Sequence, residues 1–270
     1  SSPTLKDLTV DGNQAENSGA GLWFGYSNSQ LVDLVISNNS VVGQGSNAGG
    51  GISMNYYSDL TLNNMLLVGN EAVYGAGIEL WRYSKPLLNN VTIVGNTGSF
   101  GGGLLLSGGC NATLINSILW GNSPDEIMIG VSGTPDSASI SYSDVFGGLD
   151  SIHTNDNGII TWGEGNIDVD PMFVDATNGD YHLADWSPCI GACQDGTDMG
   201  AYENALAAPL HNSVIHVAAT GNDTGSVGLT SAPFKTIQAA INYSADGDTV
   251  LVAAGTYVEN INYNGKNIVV

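Results

Sequence analysis

The first half of the chain matches itself in steps of 26 residues. Gly69-Asn70, Gly95-Asn96 and Gly121-Asn122 close three successive segments of one pattern, and the same step takes Asp7 to Asp33. One insertion, around Val42 to Ala48, lengthens a single turn, so that Asp33 to Asn64 is 31. A period of this size marks a solenoid, in which each unit buries its apolar face only against its neighbours. On that period Leu5, Leu31, Leu62, Leu88 and Leu114 share one position, and Val10, Ile36, Leu67, Ile93 and Leu119 share another. Between them runs a polar column, Asp7, Asp33, Asn64, Asn90 and Asn116, and a second one, Asn13, Asn39, Asn70, Asn96 and Asn122, closes each segment. Asp and Asn tolerate left-handed backbone and bond nearby backbone groups, which suits corners. Stacked amides also bond from coil to coil, as in other cross-strand ladders.

A second strand per repeat follows the glycines at Gly21, Gly51, Gly77 and Gly103, with Leu22/Ile52/Ile78/Leu104 and Phe24/Met54/Leu80/Leu106 on one face. Trp23, Ser53, Glu79 and Leu105 between them are expected to look outward. Short alternating strands, glycine at the bends and no helical periodicity give an all-β fold, a parallel β-helix of about 26 residues per coil rising ~4.8 Å each. A leucine-rich repeat is excluded, because Gly101-Gly102-Gly103 would break its helical segment.

With 5 Lys+Arg against 26 Asp+Glu, the formal charge of −21 argues against nucleic acid or an anionic membrane as partner. No apolar run approaches the ~18 residues that span a bilayer. Cys189 and Cys193, in Cys-Ile-Gly-Ala-Cys, are candidates for a disulfide in an exported protein, with free thiols as the alternative.

Residues 86–96, PLLNNVTIVGN, followed by Gly101-Gly-Gly-Leu-Leu-Leu106, resemble the repeats of bacterial secreted proteins with right-handed parallel β-helix domains, in the wider pectate-lyase-like group. The likeness covers roughly residues 1–148 and implies right-handed coils, which are assigned to 1–165. Next, Asp168-Val-Asp-Pro-Met-Phe-Val-Asp175, Asn178-Gly-Asp-Tyr-His-Leu183, Ser187-Pro-Cys-Ile190 and Asp198-Met-Gly-Ala-Tyr-Glu203 resemble the terminal modules called choice-of-anchor domains. That likeness, assigned to 166–206, implies export and an extracellular or cell-surface location, and carries no catalytic residue. After a linker at 207–213, residues 214–270 resemble the opening of another β-helix, including Ala232-Pro-Phe-Lys-Thr-Ile-Gln-Ala-Ala-Ile241. Phe234, Ile237 and Ile241 suit one short amphipathic capping helix near 233–243.

The order of these parts is middle, end, then beginning, so the chain reads as a trimmed piece of something longer. Uncapped coils expose apolar side chains and strand edges. Head-to-tail self-association is the expectation, with Leu5 and Leu8 on the first coil meeting Phe234, Ile237, Ile241 and Ile268 of the next molecule's cap. Such contacts build an open filament. A tandem array within one longer polypeptide and a fold-back of the cap onto its own first coil are the alternatives.

No catalytic constellation emerges. Arg82 and Lys85 are the only basic residues on the central coils and no acidic metal cluster stacks beside them. Glu79, Asp59, Asp125 and Glu126 do not pair on adjacent turns as a glycosidase needs, Asp144 and Asp150 lie in an irregular stretch, and His153, His182, His211 and His216 follow no ligand or triad spacing. Trp23 and Tyr26, Tyr56 and Tyr57, and Trp81, Arg82 and Tyr83 instead gather past the aligned glycines of three successive repeats. Flat rings along a solenoid face can hold sugar rings, with Arg82 or Glu79 supplying hydrogen bonds; the alternative is that the rings shield a loop or the inter-subunit contact. Calcium is the one cofactor the sequence admits, through Asp168, Asp170, Asp175, Asn178 and Asp180, which turns explain equally well. The expectation is a non-enzymatic structural or adhesive surface protein, with a carbohydrate-binding or polysaccharide-cleaving β-helix as the alternative.

Overall fold

The computed structural model describes residues 2–43, 48–130, 133–204, 213–223, 226, 228–245 and 247–270. The linker expected at 207–213 and His211 therefore lie almost wholly or wholly outside the described residues. Two units are present, one of residues 1–171 with 191–203, the other of 172–190 with 204–270.

The first unit is a stack of parallel coils. One sheet runs through Thr4–Asp11, Gln30–Ser37, Thr61–Val68, Leu87–Val94, Asn111–Ile115, Asp136–Ser141 and Gly158–Trp162 in chain order. A second runs through Leu22–Gly25, Ile52–Asn55, Ile78–Trp81, Leu104–Ser107 and Ile127–Ile129. Like sits over like: Leu5 pairs with Leu31, Leu31 with Leu62 and Leu62 with Leu88.

Each long strand is bent in its middle. Asp7, Asp33, Asn64, Asn90 and Asn116 are all left-handed, with φ between 51° and 56°. At the bend the inward alternation jumps from two residues to three. Leu34, Met65 and Val91 therefore face the core beside the two columns legible in the sequence, and all three are buried with Leu31, Ile36, Leu62, Leu67, Leu88 and Ile93. Burial of an aliphatic side chain on this scale contributes about 1.5–3 kcal/mol, so each coil adds a comparable increment to the same continuous core.

The second asparagine column forms a ladder inside the stack. Nδ2 of Asn13, Asn39, Asn70 and Asn96 donates to Oδ1 of the asparagine one coil on, at 2.8–3.0 Å. The backbone N–H of each donates to the same oxygen. At Asn122 the next acceptor is the Glu126 carboxylate. A parallel device runs through another corner, where Ser27, Ser58 and Cys110 donate their backbone N–H to Ser58 Oγ, Ser84 Oγ and Asp136 Oδ1. Both runs end on a carboxyl group, which when ionised only accepts and leaves no donor to satisfy beyond it.

The outward positions of the second sheet depart from expectation. Trp23 is exposed, but Ser53, Glu79 and Leu105 are buried. The glycine turn before each strand lies on that face in all four coils, Gly19 beside Trp23 included, and Trp23 differs in standing on the edge strand of the sheet. A β-carbon on Gly75, at φ 56°, would sit 2.8 Å from Glu79 Cβ, and one on Gly101 would sit 3.0 Å from Leu105 Cβ. Residues 191–203 also return to the coils, where Asn90 Nδ2 donates to Asp198 O, Gly200 N to Asn116 O and Ala201 N to Thr92 Oγ1. The stretch 166–206 is thus divided between the two units.

In the second unit, Phe173–Asp175 pairs antiparallel with Asp180–Leu183, and Val214–Val217 pairs in parallel with Thr249–Val252. The helix spans Ile237–Tyr243, later than the expected start near 233, because the Thr236 side chain caps it by accepting from Ala239 N. Phe234 precedes the helix in extended backbone, bridged to Val217. Phe234 and Ile241 are buried in this unit's own core with Ile215, Val217 and Val250, and Ile237 and Ile268 pack against it. Of the six residues expected to mediate self-assembly, Phe234 and Ile241 are thus buried and Ile237 and Ile268 half-buried. On the first coil Leu5 is half-buried and Leu8 exposed.

Candidate functional site: a tyrosine and arginine groove

The turn after each second-sheet strand builds the site. Tyr56 and Tyr57 follow Ile52–Asn55, Arg82 and Tyr83 follow Ile78–Trp81, and Gly108 and Gly109 follow Leu104–Ser107. All six have positive φ, from 53° to 87°. The third coil fills this turn with glycine, the residue that adopts it without strain. Bulky side chains there are outliers, so two coils hold Tyr-Tyr and Arg-Tyr against a backbone preference. Such strain collects where side chains serve function.

The rings stack at the spacing of the coils. Tyr26 lies over Tyr56 with centroids 5.4 Å apart and planes 11° from parallel, and Tyr57 lies over Tyr83 at 5.2 Å and 19°. The Arg82 guanidinium sits 5.2 Å from the Tyr56 centroid and 5.6 Å from that of Trp81. Its Nη1 donates to Tyr56 Oη at 3.4 Å, and Tyr83 Oη lies 3.4 Å from Thr134 Oγ1. These groups, with Ser107, Gly108 and Gly133, enclose a solvent-open groove of about 550 Å³. Because ring faces turn toward each other, ring edges, hydroxyls and the guanidinium are what a ligand would meet. Of the seven residues singled out, six line the groove; Trp23 does not, its ring folding along Gly25, where a β-carbon would lie 2.4 Å from Cη2.

Beneath the groove wall, Ser53 Oγ donates to Glu79 Oε2 at 2.7 Å and accepts from Asn55 Nδ2 at 2.7 Å. Glu79 and Trp81, two residues apart on one strand, share the outer face of the sheet, and burial pushes the Glu79 carboxyl up from 4.5 to about 7. Glu126, also buried, is raised to about 7 by the same cause, against the hydrogen bonds from Asn122 and Gly121 that lower it. Asp136 Oδ1 accepts from Gly109 N and Cys110 N and so fixes the glycine turn under Tyr83. These supports were not legible in the sequence, although the aligned column Ser58, Ser84, Cys110, Asp136 carries the signal.

The other acidic and histidine candidates are engaged structurally. Asp59 Oδ1 accepts from Lys85 N, Asp144 Oδ1 from Val169 N, and Asp125 Oδ1 pairs with His153 Nδ1 at 2.6 Å. His216 Nε2 lies 3.2 Å from Thr230 Oγ1. Among the calcium candidates, Asp168 Oδ1 accepts from Gly147 N, Asp175 from Asn178 N and Nδ2, and Asp180 Oδ1 meets His182 Nδ1. Among the described residues no group of three or more His, Cys, Asp or Glu is arranged to hold a metal ion. Cys110, Cys189 and Cys193 are buried, and no disulfide joins the last two in this structure.

Residues 1–171 match the family described as "Right handed beta helix region", and residues 219–264 match a family of proteins of unknown function, DUF1565. No curated protein and no solved structure matches the chain. The first match takes in the whole run of coils whose registers, bends and ladders are set out above, and the chain belongs to the right-handed β-helix family.

Proposed function

We propose that this β-helix is a non-catalytic, adhesive glycan-binding protein acting outside the cell, and that the tyrosine and arginine groove is where saccharide binds. The observation that carries the reading is the occupation of two successive left-handed turns by Tyr56-Tyr57 and Arg82-Tyr83, where the next coil has Gly108-Gly109. Glycine would relieve that backbone, so the rings and guanidinium stand there at a backbone cost that what they present to solvent would offset. Tyrosine hydroxyls and a guanidinium, set in a groove of half-apolar character, offer the hydrogen bonds that orient sugar hydroxyls. An acidic overall charge suits a protein that works in solution at a surface.

A glycan array probed with the wild-type chain and with Trp81→Ala and Tyr83→Ala variants tests the reading. Binding to a subset of glycans that both variants weaken is the expected result. Absence of binding to every glycan, or binding indifferent to both substitutions, would remove it.

A further inference from the structure

Arg82 is the one arginine in a chain of 270 residues that carries 26 Asp+Glu. An arginine in such a protein ordinarily finds a carboxylate. Among the described residues this one has no ion-pair partner: the pairs are Lys6 with Asp7 and Asp33, His153 with Asp125, and His182 with Asp180. Nor does any acidic side chain line the groove around it. Its guanidinium is instead braced against the rings of Tyr56 and Trp81, with one long hydrogen bond to the Tyr56 hydroxyl. Bracing on aromatic faces fixes the plane of the fork and leaves most of its donors uncommitted. The side chain also stands on a left-handed backbone, φ 54°, that Gly108 occupies one coil on. The overall charge of −21 opposes an incoming anion at long range, but that field fades beyond about 8 Å at physiological salt, and inside the acid-free groove the nearest full charge is the guanidinium.

We propose that the groove selects an oxoanion, a carboxylate or a sulfate ester borne by the saccharide, and that Arg82 is the residue that sets this preference through a bidentate contact. The proposal rests on the glycan-binding reading for its saccharide part and stands on the arginine alone for its anion part. Planar guanidinium matches both oxoanions, and lysine would not replace it as a fork.

The test is calorimetric titration of the full chain with four probes: inorganic sulfate, a neutral oligosaccharide, a uronate-bearing oligosaccharide and a sulfated one. Wild type is compared with Arg82→Gln, which keeps a polar side chain, and with Arg82→Gly, which relaxes the left-handed turn. The expected result is that one or both acidic oligosaccharides bind at least tenfold more tightly than the neutral one, that added salt weakens them, and that both variants lose the preference while remaining folded. The better of the two acidic probes identifies the oxoanion. Neutral and acidic probes binding alike in wild type, or an acidic preference that survives in Arg82→Gln, would overturn the proposal while leaving the glycan reading in place. Sulfate binding that Arg82→Gln abolishes, without affinity for any saccharide, would uphold the anion site and remove the glycan reading. Silence from all four probes would overturn both.

Discussion

Asn122 donates both its backbone N–H and its Nδ2 to the carboxylate of Glu126, four residues on, and there the amide ladder that threads five coils comes to an end. In every earlier coil the same two donors meet a single asparagine Oδ1 from the next turn. A carboxylate folded back within its own coil therefore substitutes for a neighbour.

The middle of the ladder holds most. Replacing Asn96 with Ala removes the acceptor for Asn70 N and Nδ2 and the donor to Leu67 O, all buried. Each orphaned buried group costs about 1–3 kcal/mol, so Asn96→Ala is expected to destabilise by about 2–4 kcal/mol, read from the urea midpoint. Asn13→Ala, at the part-buried start of the ladder, is expected to cost under about 1.5 kcal/mol. Equal effects at the two sites would contradict a buried ladder.

Stability is expected to fall as pH rises through neutrality. Glu79 and Glu126 have folded values raised from 4.5 to about 7 by burial. A carboxyl raised on folding binds its proton more tightly in the native state. Its contribution is fully present below about pH 4.5 and is lost as pH rises to about 7 and beyond, on the order of 3 kcal/mol per group. Glu126→Gln removes one titration, and its amide oxygen can accept both Asn122 donors as Asn96 does for Asn70. Denaturant midpoints between pH 5 and 8 should slope less steeply in Glu126→Gln than in wild type; parallel slopes would refute the assignment.

The bend in the long strands gives a backbone test. Asn64 is left-handed at φ 51° and its Nδ2 bonds Asp33 Oδ1 at the surface. Asn64→Gly should shift stability by less than about 1 kcal/mol, whereas Asn64→Val, a β-branched residue in that region, should cost about 1–3 kcal/mol. Thermal melts of the two variants decide it, and equal melts would mean the corner is not left-handed.

A single methyl probes the covered face of the second sheet. Gly75→Ala places a β-carbon 2.6 Å from Ile78 O and 2.8 Å from Glu79 Cα, at positive φ. The clash and the strain together are expected to cost more than about 2 kcal/mol. Gly95→Ala, also at positive φ but with nothing within 4 Å, should cost only the backbone term of about 1 kcal/mol.

The period and the identity of its columns were legible because stacking puts Leu31 over Leu5 and Asn70 over Asn39, and equal spacing in sequence becomes contact in space. What hid was set by the corners. The left-handed residue at Asp33 changes the inward step from two to three, so Leu34 entered the core without matching strand alternation. Glu79 has the spacing of a solvent-facing residue, and the glycine turn above it covers it together with its place on an inner strand of the sheet. The aromatic cluster was visible from aligned positions, but its ring faces are set by coil spacing and turn geometry, which a list of positions does not contain.

The most direct measurement is a crystal structure of the chain soaked with the oligosaccharide that binds most tightly on the array. Saccharide density within hydrogen-bond distance of Arg82 and the Tyr83 hydroxyl, over the Gly108 turn, is the result expected from the groove's geometry. Saccharide bound elsewhere on the coils, with Arg82 and Tyr83 untouched, would contradict it.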